Sequence, residues 1–403
     1  MADSSVMFAP STEAAPLAAR TGREPLRVAL FSGNYNYVMD GPARALNLLV
    51  GRLEQLGHQV LVFAPTADEP AFPPSGTLVS IPSAPLPGPR KEFRLGFGLP
   101  GAAKKRLDTF RPAIVHIATP DWLGIGALRF ARRRGIPVVA SFHTRFDSYP
   151  RFYGLPWLEK PVADYLRWFY GQCAHVYPPS QSMAEELRAA GIKDVRIWAR
   201  GVDGDRFSPR RRSREWRAAQ GFGPDDVVVA WVGRIVREKG LDMFADAFGE
   251  AAARNRRLKA LIVGEGPERR RFETRLPTAV FLGHQDGEEL ARAYASADIF
   301  FNPSVTETFG QVTLEAMASG LACVCASALG SSSLVAHGSN GFLVPPAAGS
   351  AGYVERILEL AEDHALRARC GQAARARAEC YDWTTILDGL IANYRDAIAT
   401  SRN

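Results

Sequence analysis

The chain predicts an α/β fold of two doubly wound, parallel-sheet domains, and three observations carry that prediction. Short apolar runs of strand length alternate with longer amphipathic runs of helical period in both halves. The alternation breaks once, in an arginine-rich stretch around residues 201–212. A length of 403 residues also exceeds one core of the usual ~100–200 residues.

The first unit opens on an apolar strand at 26–31, a polar loop from Ser32 to Gly41 and a helical pattern over 43–56. Gly57 stops that helix, and a second strand at 60–64 closes a βαβ unit, which makes the pair parallel. Strands follow at 113–117, 138–142 and 175–177, with helices over 122–134, 156–172 and 181–190. After the break the rhythm restarts with strands at 227–232, 260–263, 279–282, 299–302 and 322–325, separated by helices at 240–253, 267–275, 287–296 and 311–319. From Gly349 to Ile398 the pattern is helical with no strand to return to. The expected organisation is a loose leader at 1–24, a first domain at 25–204, a second at 205–380 and a closing helix at 381–403.

Apolar residues at 46% and charged residues at 23% are ordinary for a globular protein and argue against long disorder. No run approaches the roughly 18–20 apolar residues of a membrane span, and the N-terminus lacks the basic-then-apolar order of a signal peptide. A cytoplasmic location is the expectation. The five cysteines, Cys173, Cys323, Cys325, Cys370 and Cys380, include no C-x-x-C pair, so buried free thiols are expected rather than a disulfide frame or zinc cluster. The net charge of +7 is lopsided: residues 1–204 carry 24 Lys and Arg against 17 Asp and Glu, whereas 205–403 hold 25 of each. Either the first half faces an anionic partner or it simply presents a solvated basic surface.

The most informative segment is Pro303-Ser304-Val305-Thr306-Glu307-Thr308-Phe309-Gly310-Gln311-Val312-Thr313-Leu314-Glu315. It follows a strand and enters a helix, so the helix N-terminus offers an anion site with Glu307 at its mouth and Glu315 further along. One carboxylate can accept from sugar hydroxyls and the other from a ribose diol. The bland alternative makes Glu307 a helix cap and Glu315 a solvated helical residue. Gly310 lets the backbone approach a ligand.

A second constellation, Gly233-Arg234-Ile235-Val236-Arg237-Glu238-Lys239-Gly240, follows the first strand of the second domain. Arg234 and Lys239 suit the two phosphates of a nucleotide-sugar and could neutralise a leaving diphosphate in place of a metal, with Arg237 expected at the surface. Gly264, in Val263-Gly264-Glu265-Gly266, and His284, after Phe281-Leu282-Gly283, end two further strands and could border the nucleoside. In the first domain His143 emerges at the end of the strand at 138–142, where ligands collect, unless it is structural. Gly41 could border the donor diphosphate, with Asp40 as a plain N-cap the alternative.

Together these residues resemble the family 4 glycosyltransferases, and the resemblance covers about Leu26 to Ala397. It implies the GT-B fold, two Rossmann-like domains facing across a cleft that holds a nucleotide-sugar donor, with a C-terminal helix crossing back to the first domain. Carried over residue by residue, Arg234 and Lys239 would hold the diphosphate and Glu315 the ribose. Glu307 with Thr308, Phe309 and Gly310 would hold the sugar, and His143 would lie near the reacting centre. The family implies retention of anomeric configuration and no metal or other cofactor.

Asp40-Gly41 before Ala43-Arg44-Ala45-Leu46, and Ser141-Phe142-His143-Thr144 with Phe146, Asp147 and Tyr149, resemble the branch of lipid sulfoquinovosyl, glucuronosyl and mannosyl transferases. That branch implies a UDP-sugar first, GDP-mannose next, and a diacylglycerol-like acceptor. The chain departs from many members in carrying a single Gly41 where they have a glycine pair.

Arg90-Lys91-Glu92-Phe93-Arg94-Leu95-Gly96-Phe97, Lys104-Lys105-Arg106 and Leu128-Arg129-Phe130-Ala131-Arg132-Arg133-Arg134 mix basic and apolar residues. Such mixtures suit an anionic membrane surface as well as ordinary helical surface charge. A soluble or polysaccharide acceptor and a nucleotide-sugar epimerase of the same fold are the alternatives. Nucleic-acid binding fits poorly, because zinc spacing, an RNP-like aromatic pair and a recognition helix are all lacking.

Overall fold

The computed structural model describes residues 24–38, 40–86, 92–143 and 156–401. The leader at 1–23, Arg90 and Lys91 of the first basic segment, and Thr144, Phe146, Asp147 and Tyr149 lie outside the described residues. The chain divides into two compact units, Met1–Val138 with Ala397–Asn403, and Val139–Asp396.

In chain order the first half contains β1 (Arg27–Phe31), α1 (Gly41–Gln55), β2 (Gln59–Ala64), β3 (Thr77–Ser80), β4 (Ser83–Pro85), β5 (Arg94–Gly96), α2 (Gly101–Phe110), β6 (Ile114–Ile117), α3 (Trp122–Arg132), β7 (Val138–Ser141), α4 (Glu159–Tyr170), β8 (His175–Tyr177) and α5 (Gln181–Ala189). Six of these strands form one sheet in the order β3-β2-β1-β6-β7-β8. Its strands pair in parallel, as for β1 on β2 from Arg27 opposite Gln59 to Phe31 opposite Phe63. The order reverses between β1 and β6, and that reversal places the two following loops side by side.

The second half repeats the plan with α6 (Arg214–Ala219), β9 (Val227–Val232), α7 (Leu241–Arg254), β10 (Leu258–Val263), α8 (Arg269–Arg275), β11 (Val280–Phe281), α9 (Gly287–Ser296), β12 (Ile299–Asn302), α10 (Gln311–Ala318), β13 (Ala322–Ala326), α11 (Leu329–Leu334) and β14 (Gly341–Val344). The sheet order is β11-β10-β9-β12-β13-β14, with its reversal between β9 and β12. Three helices close the chain: α12 (Gly349–Glu362), α13 (His364–Glu379) and α14 (Trp383–Thr400). Along α14, Asn393 and Asp396 accept from Arg196 at 2.9 and 2.5 Å, and the Tyr394 ring lies 6.4 Å from that of Tyr177.

The strands are near-continuous apolar runs because helices cover both faces of a parallel sheet. Val227 to Trp231 are all buried. On one face Phe244 of α7 stacks on Phe301 of β12 at 4.8 Å and meets Phe272 of α8 edge-on at 5.8 Å. Truncating a fully buried ring of this kind to Ala commonly costs about 3–5 kcal/mol.

The structure adds elements that the sequence reading passed over. The hairpin of β4 and β5, together with β3, is short and half-exposed, so it lacks the long apolar run that marks a buried strand. Lys104-Lys105-Arg106 belong to α2. The apolar members of the segment at 128–134 prove to be core: Leu128, Phe130 and Ala131 are buried while Arg129, Arg132, Arg133 and Arg134 are exposed. That segment is therefore an amphipathic helix end, and its apolar residues are unavailable to a membrane. Cys323, Cys325 and Cys370 are buried as expected, but Cys173 is partly exposed and Cys380 exposed. Cys380 sits at the end of α13, on the face turned to solvent.

Candidate active site

Two loops leave neighbouring strands at the reversal of the second sheet, one after β9 and one after β12, and they carry the strongest sequence signals to the same place. In the β9 loop, Val236 donates to the Arg234 carbonyl at 2.9 Å and Lys239 to the Val236 carbonyl at 3.1 Å, forming a tight turn. Gly240 then adopts φ +73 and opens α7. This turn aims Lys239 at the β12 loop, where its Nζ donates to Glu307 Oε1 at 2.6 Å. Their side chains are 29% and 15% exposed, so the ion pair is substantially shielded while an edge remains open to a ligand. Arg234 is exposed beside them in sequence, and Arg237 pairs with Glu268 at 3.0 Å on the surface.

The β12 loop ends at Gly310 with φ +92, a left-handed conformation that disfavours any residue with a Cβ. Helix α10 begins at Gln311, where the sequence places it, and no side chain caps its N-terminus. Glu307 is thus not a helix cap. Its role as one is replaced by the bond to Lys239, and the first turn of α10 keeps the anion-attracting polarity of an uncapped helix start. Thr308 is partly buried and Phe309 buried, the latter facing the Tyr381 ring at 5.9 Å.

Glu315 is not a solvated helical residue either, since it is only 9% exposed. Tyr294 of α9 donates to Glu315 Oε2 at 3.2 Å, and Gln311 Nε2 reaches Glu315 Oε1 at 3.3 Å. The same Gln311 amide meets the Gly201 carbonyl at 3.2 Å. Burial, and then the Glu315 charge, push the Tyr294 hydroxyl well above its ordinary pKa, so it remains a proton donor. Tyr294 and Gln311 were not picked out from sequence. Gln311 was legible at i, i+4 to Glu315, whereas Tyr294 lies on another helix and left no such signal.

Gly264 packs against the turn after β9. Its φ is +140, its amide donates to the Gly283 carbonyl at 2.8 Å, and a Cβ there would overlap the Gly233 carbonyl. Its part is to let three strand-end loops touch. His284 is exposed just past β11.

Two further residues of the sequence reading belong to the first sheet. His143 follows β7, is 8% exposed, and sets its ring edge-on to Trp198 at 4.9 Å. Gly41 is the first residue of α1 and is exposed, while Asp40 caps that helix by accepting from the Ala43 amide at 2.7 Å. At the reversal of this sheet, the Gly33 amide donates to Thr119 Oγ1 at 2.9 Å, and Thr119 donates to Asp121 Oδ2 at 3.1 Å. Burial raises the Asp121 carboxyl, against the lowering effect of its bonds to Gly124 and Thr119. Asp121 also caps α3 through the Gly124 amide at 2.8 Å. The sequence reading missed this group because a lone Asp before a helix reads as a cap and nothing more.

The paired-sheet fold and the Lys239–Glu307 geometry can be set beside known proteins. Residues 39–206 match the family described as Glycosyltransferase Family 4, and residues 212–377 match Glycosyl transferases group 1. A GDP-mannose-dependent alpha-mannosyltransferase of Mycobacterium tuberculosis is 34% identical over 92% of this chain and 96% of its own length. The chain belongs to the family 4 glycosyltransferases. The glycosyltransferase is also 33% identical to a sulfoquinovosyl transferase of Arabidopsis thaliana, over 89% of this chain and 71% of that one. An alpha-monoglucosyldiacylglycerol synthase of Streptococcus pneumoniae is 25% identical over 73% of this chain and 70% of its own.

Among solved structures, a sucrose-phosphate synthase from Thermosynechococcus elongatus superposes with a TM-score of 0.77 at 21% identity, covering 93% of this chain and 100% of that one. That likeness speaks for the two-domain GT-B fold. The glycosyltransferase is therefore an enzyme that moves a sugar from a nucleotide-sugar donor. No helix among its described residues is long and apolar enough to cross a membrane.

Proposed function

We propose that this glycosyltransferase retains anomeric configuration, works without a divalent metal, and delivers a hexose or hexuronic acid to a membrane lipid of the diacylglycerol kind. The observation that carries the reading is the Lys239–Glu307 pair at the mouth of an uncapped α10. A cation and a helix start at one point provide charge for a diphosphate, which is the service a metal gives in other transferases. Lys239 and Arg234 take the diphosphate, Glu315 the ribose, and Glu307 the sugar hydroxyls.

The family resemblance assigns His143 to the reacting centre and Gly41 to the donor diphosphate, and Gly264 and His284 border the nucleoside. In the transfer step the acceptor hydroxyl oxygen bonds to the anomeric carbon on the face from which the diphosphate departs. The bond from that carbon to phosphate oxygen breaks with its electron pair on the diphosphate, which also receives the hydroxyl proton.

The names of three relatives at 31–34% identity specify GDP-mannose dependence, which favours GDP-mannose over the UDP-sugar that the sequence reading puts first. The diacylglycerol acceptor draws on the synthase named above. The test is thermal unfolding of the purified protein with UDP-, GDP- and ADP-sugars, with and without EDTA. A ligand at ~100 times its dissociation constant stabilises by about 2.7 kcal/mol. A rise with GDP-mannose that survives EDTA is expected. A rise abolished by EDTA overturns metal independence, a rise confined to another nucleotide overturns the mannose donor, and no rise with any of them overturns the assigned donor site. Transfer to diacylglycerol with inverted configuration, read by anomeric NMR couplings, overturns retention.

A further inference from the structure

We propose that Gln311 is a positioning residue for the donor: its side-chain amide ties Glu315 to the backbone of residues 201–207, so that binding of the nucleotide's ribose and the arrangement of that segment are coupled. The proposal rests on the reading that Glu315 receives the ribose, and it names the group that sets where this carboxylate stands.

Glu315 is a buried carboxylate on α10, and burial makes the direction of its hydrogen-bond donors decisive. The Tyr294 hydroxyl has a single proton and two acceptors in reach, Glu315 Oε2 at 3.2 Å and the Val312 carbonyl at 3.1 Å. The Gln311 amide has two protons for two acceptors, Glu315 Oε1 at 3.3 Å and the Gly201 carbonyl at 3.2 Å. It serves both at once, which the tyrosine cannot do for its own two. Because both partners are acceptors, the amide is also fixed in its flip. The spacing of four along a helix makes the bond to Glu315 an ordinary pair on one face. The bond to Gly201 is of another kind, since it joins residues 110 apart.

Gly201 is itself held in place. A Cβ on it would fall 2.6 Å from the Trp383 ring, and the next residue, Val202, donates its amide to the Tyr381 carbonyl at 2.9 Å and bridges to Asp382. Further along, the Arg375 guanidinium of α13 reaches the carbonyls of Gly204, Phe207 and Ala318 at 3.0, 2.8 and 2.7 Å. Ala318 is the last residue of α10, so segment 201–207 is fastened to that helix at both ends, by Gln311 at its start and Arg375 at its close. A shift of the segment therefore shifts the frame in which Glu315 stands. By linkage the reverse also holds: ribose on Glu315 stabilises the segment by the same free energy with which the segment favours ribose.

The experiment compares wild type, Gln311→Leu and Glu315→Gln as full chains, by calorimetric titration with GDP, UDP and inorganic pyrophosphate. Leucine keeps most of the bulk of this half-buried side chain and removes both N–H donors. Gln311→Leu is expected to weaken the nucleotide that wild type binds by about tenfold, as loss of a hydrogen bond to a charged group does, and to leave pyrophosphate, which has no ribose, unchanged. In turnover the donor KM should rise by a similar factor while kcat stays within about twofold. Hydrogen exchange of residues 201–207 should slow on saturation with nucleotide in wild type and not in the leucine variant.

An equal loss for pyrophosphate makes Gln311 merely structural and overturns the proposal. Unchanged nucleotide binding overturns it also, as does nucleotide protection of 201–207 that persists in the leucine variant. Glu315→Gln separates this outcome from the reading beneath it. If that variant binds nucleotide as wild type does, the ribose does not sit on Glu315, and the reading and the tie fall together. If it loses the nucleotide while Gln311→Leu keeps it, the ribose stays on Glu315 and the tie alone is wrong.

Discussion

Lys239 Nζ and Glu307 Oε1 stand 2.6 Å apart although 68 residues separate them in the chain. They meet because β9 and β12 are neighbours at the one place where the strand order of the second sheet reverses. The loop after each strand is therefore committed to the same crevice, one contributing the cation and the other the carboxylate.

Lys239→Ala and Glu307→Ala are each expected to cut turnover at least ~100-fold, as loss of charge stabilisation or positioning commonly does. The two losses should not multiply in the double variant, because each single change already leaves the partner without its counter-charge. Steady-state rates with the donor identified by thermal shift measure this. Rates near wild type for either single variant would remove the pair from the active site.

Tyr294→Phe removes the hydroxyl that holds Glu315 Oε2 at 3.2 Å and keeps the ring. If Glu315 receives the donor's ribose, a loosened carboxylate weakens donor binding more than it slows chemistry, so donor KM should rise several-fold with little change in kcat. Loss of one buried hydrogen bond should lower stability by about 1 kcal/mol. A KM that stays put while stability falls would make Tyr294 purely structural.

How much of this was legible from sequence follows from the physics of each element. Strands such as Ile299–Asn302 and Val227–Val232 coincide with the sequence reading, because burial on both faces demands an unbroken apolar run. The short edge pieces β3, β4 and β5 carry no such demand and went unread. So did β14, which opens on Gly341 and leaves only the short apolar run Phe342-Leu343-Val344 before Pro345. Glu307 and Glu315 were found by their place between a strand and a helix. The sequence could not reveal which residue each would grip, since Lys239 and Tyr294 reach them through sheet order and helix packing. Nor could it separate the basic residues of α3 from its apolar ones by side, and the helix turns the first outward and the second into the core.

Gly264→Ala tests the close approach of the strand-end loops. The added Cβ would overlap the Gly233 carbonyl, and φ +140 strains any residue other than glycine. The loops must part, so a loss of more than about 2 kcal/mol is expected in urea unfolding, together with a weaker donor-induced shift. By contrast Gly249→Ala, on α7 with no atom near the added carbon, should stabilise slightly, by at most ~1 kcal/mol. Equal behaviour of the two variants would show that the Gly233–Gly264 contact is dispensable.

His116 of β6 gives the acid limb of stability a definite sign. It is fully buried, and desolvation lowers its pKa from the ordinary 6.5 to about 3. Above pH 6.5 it is neutral folded or unfolded and imposes no penalty. As pH falls below 6.5 the unfolded chain takes up a proton that the folded chain refuses, so stability drops by about 1.4 kcal/mol per pH unit until folded His116 also titrates near 3.

His175 contributes in the same sense: burial lowers it first and the Arg196 charge adds to that, with Asp396 and Asp194 opposing. Urea unfolding at pH 7, 6 and 5 should therefore show a falling midpoint, and His116→Asn, which cannot titrate, should show a shallower fall from a lower starting stability. Parallel pH profiles for the two proteins would mean that His116 is protonated in the native state and that the protein meets its charge with a partner in the sheet.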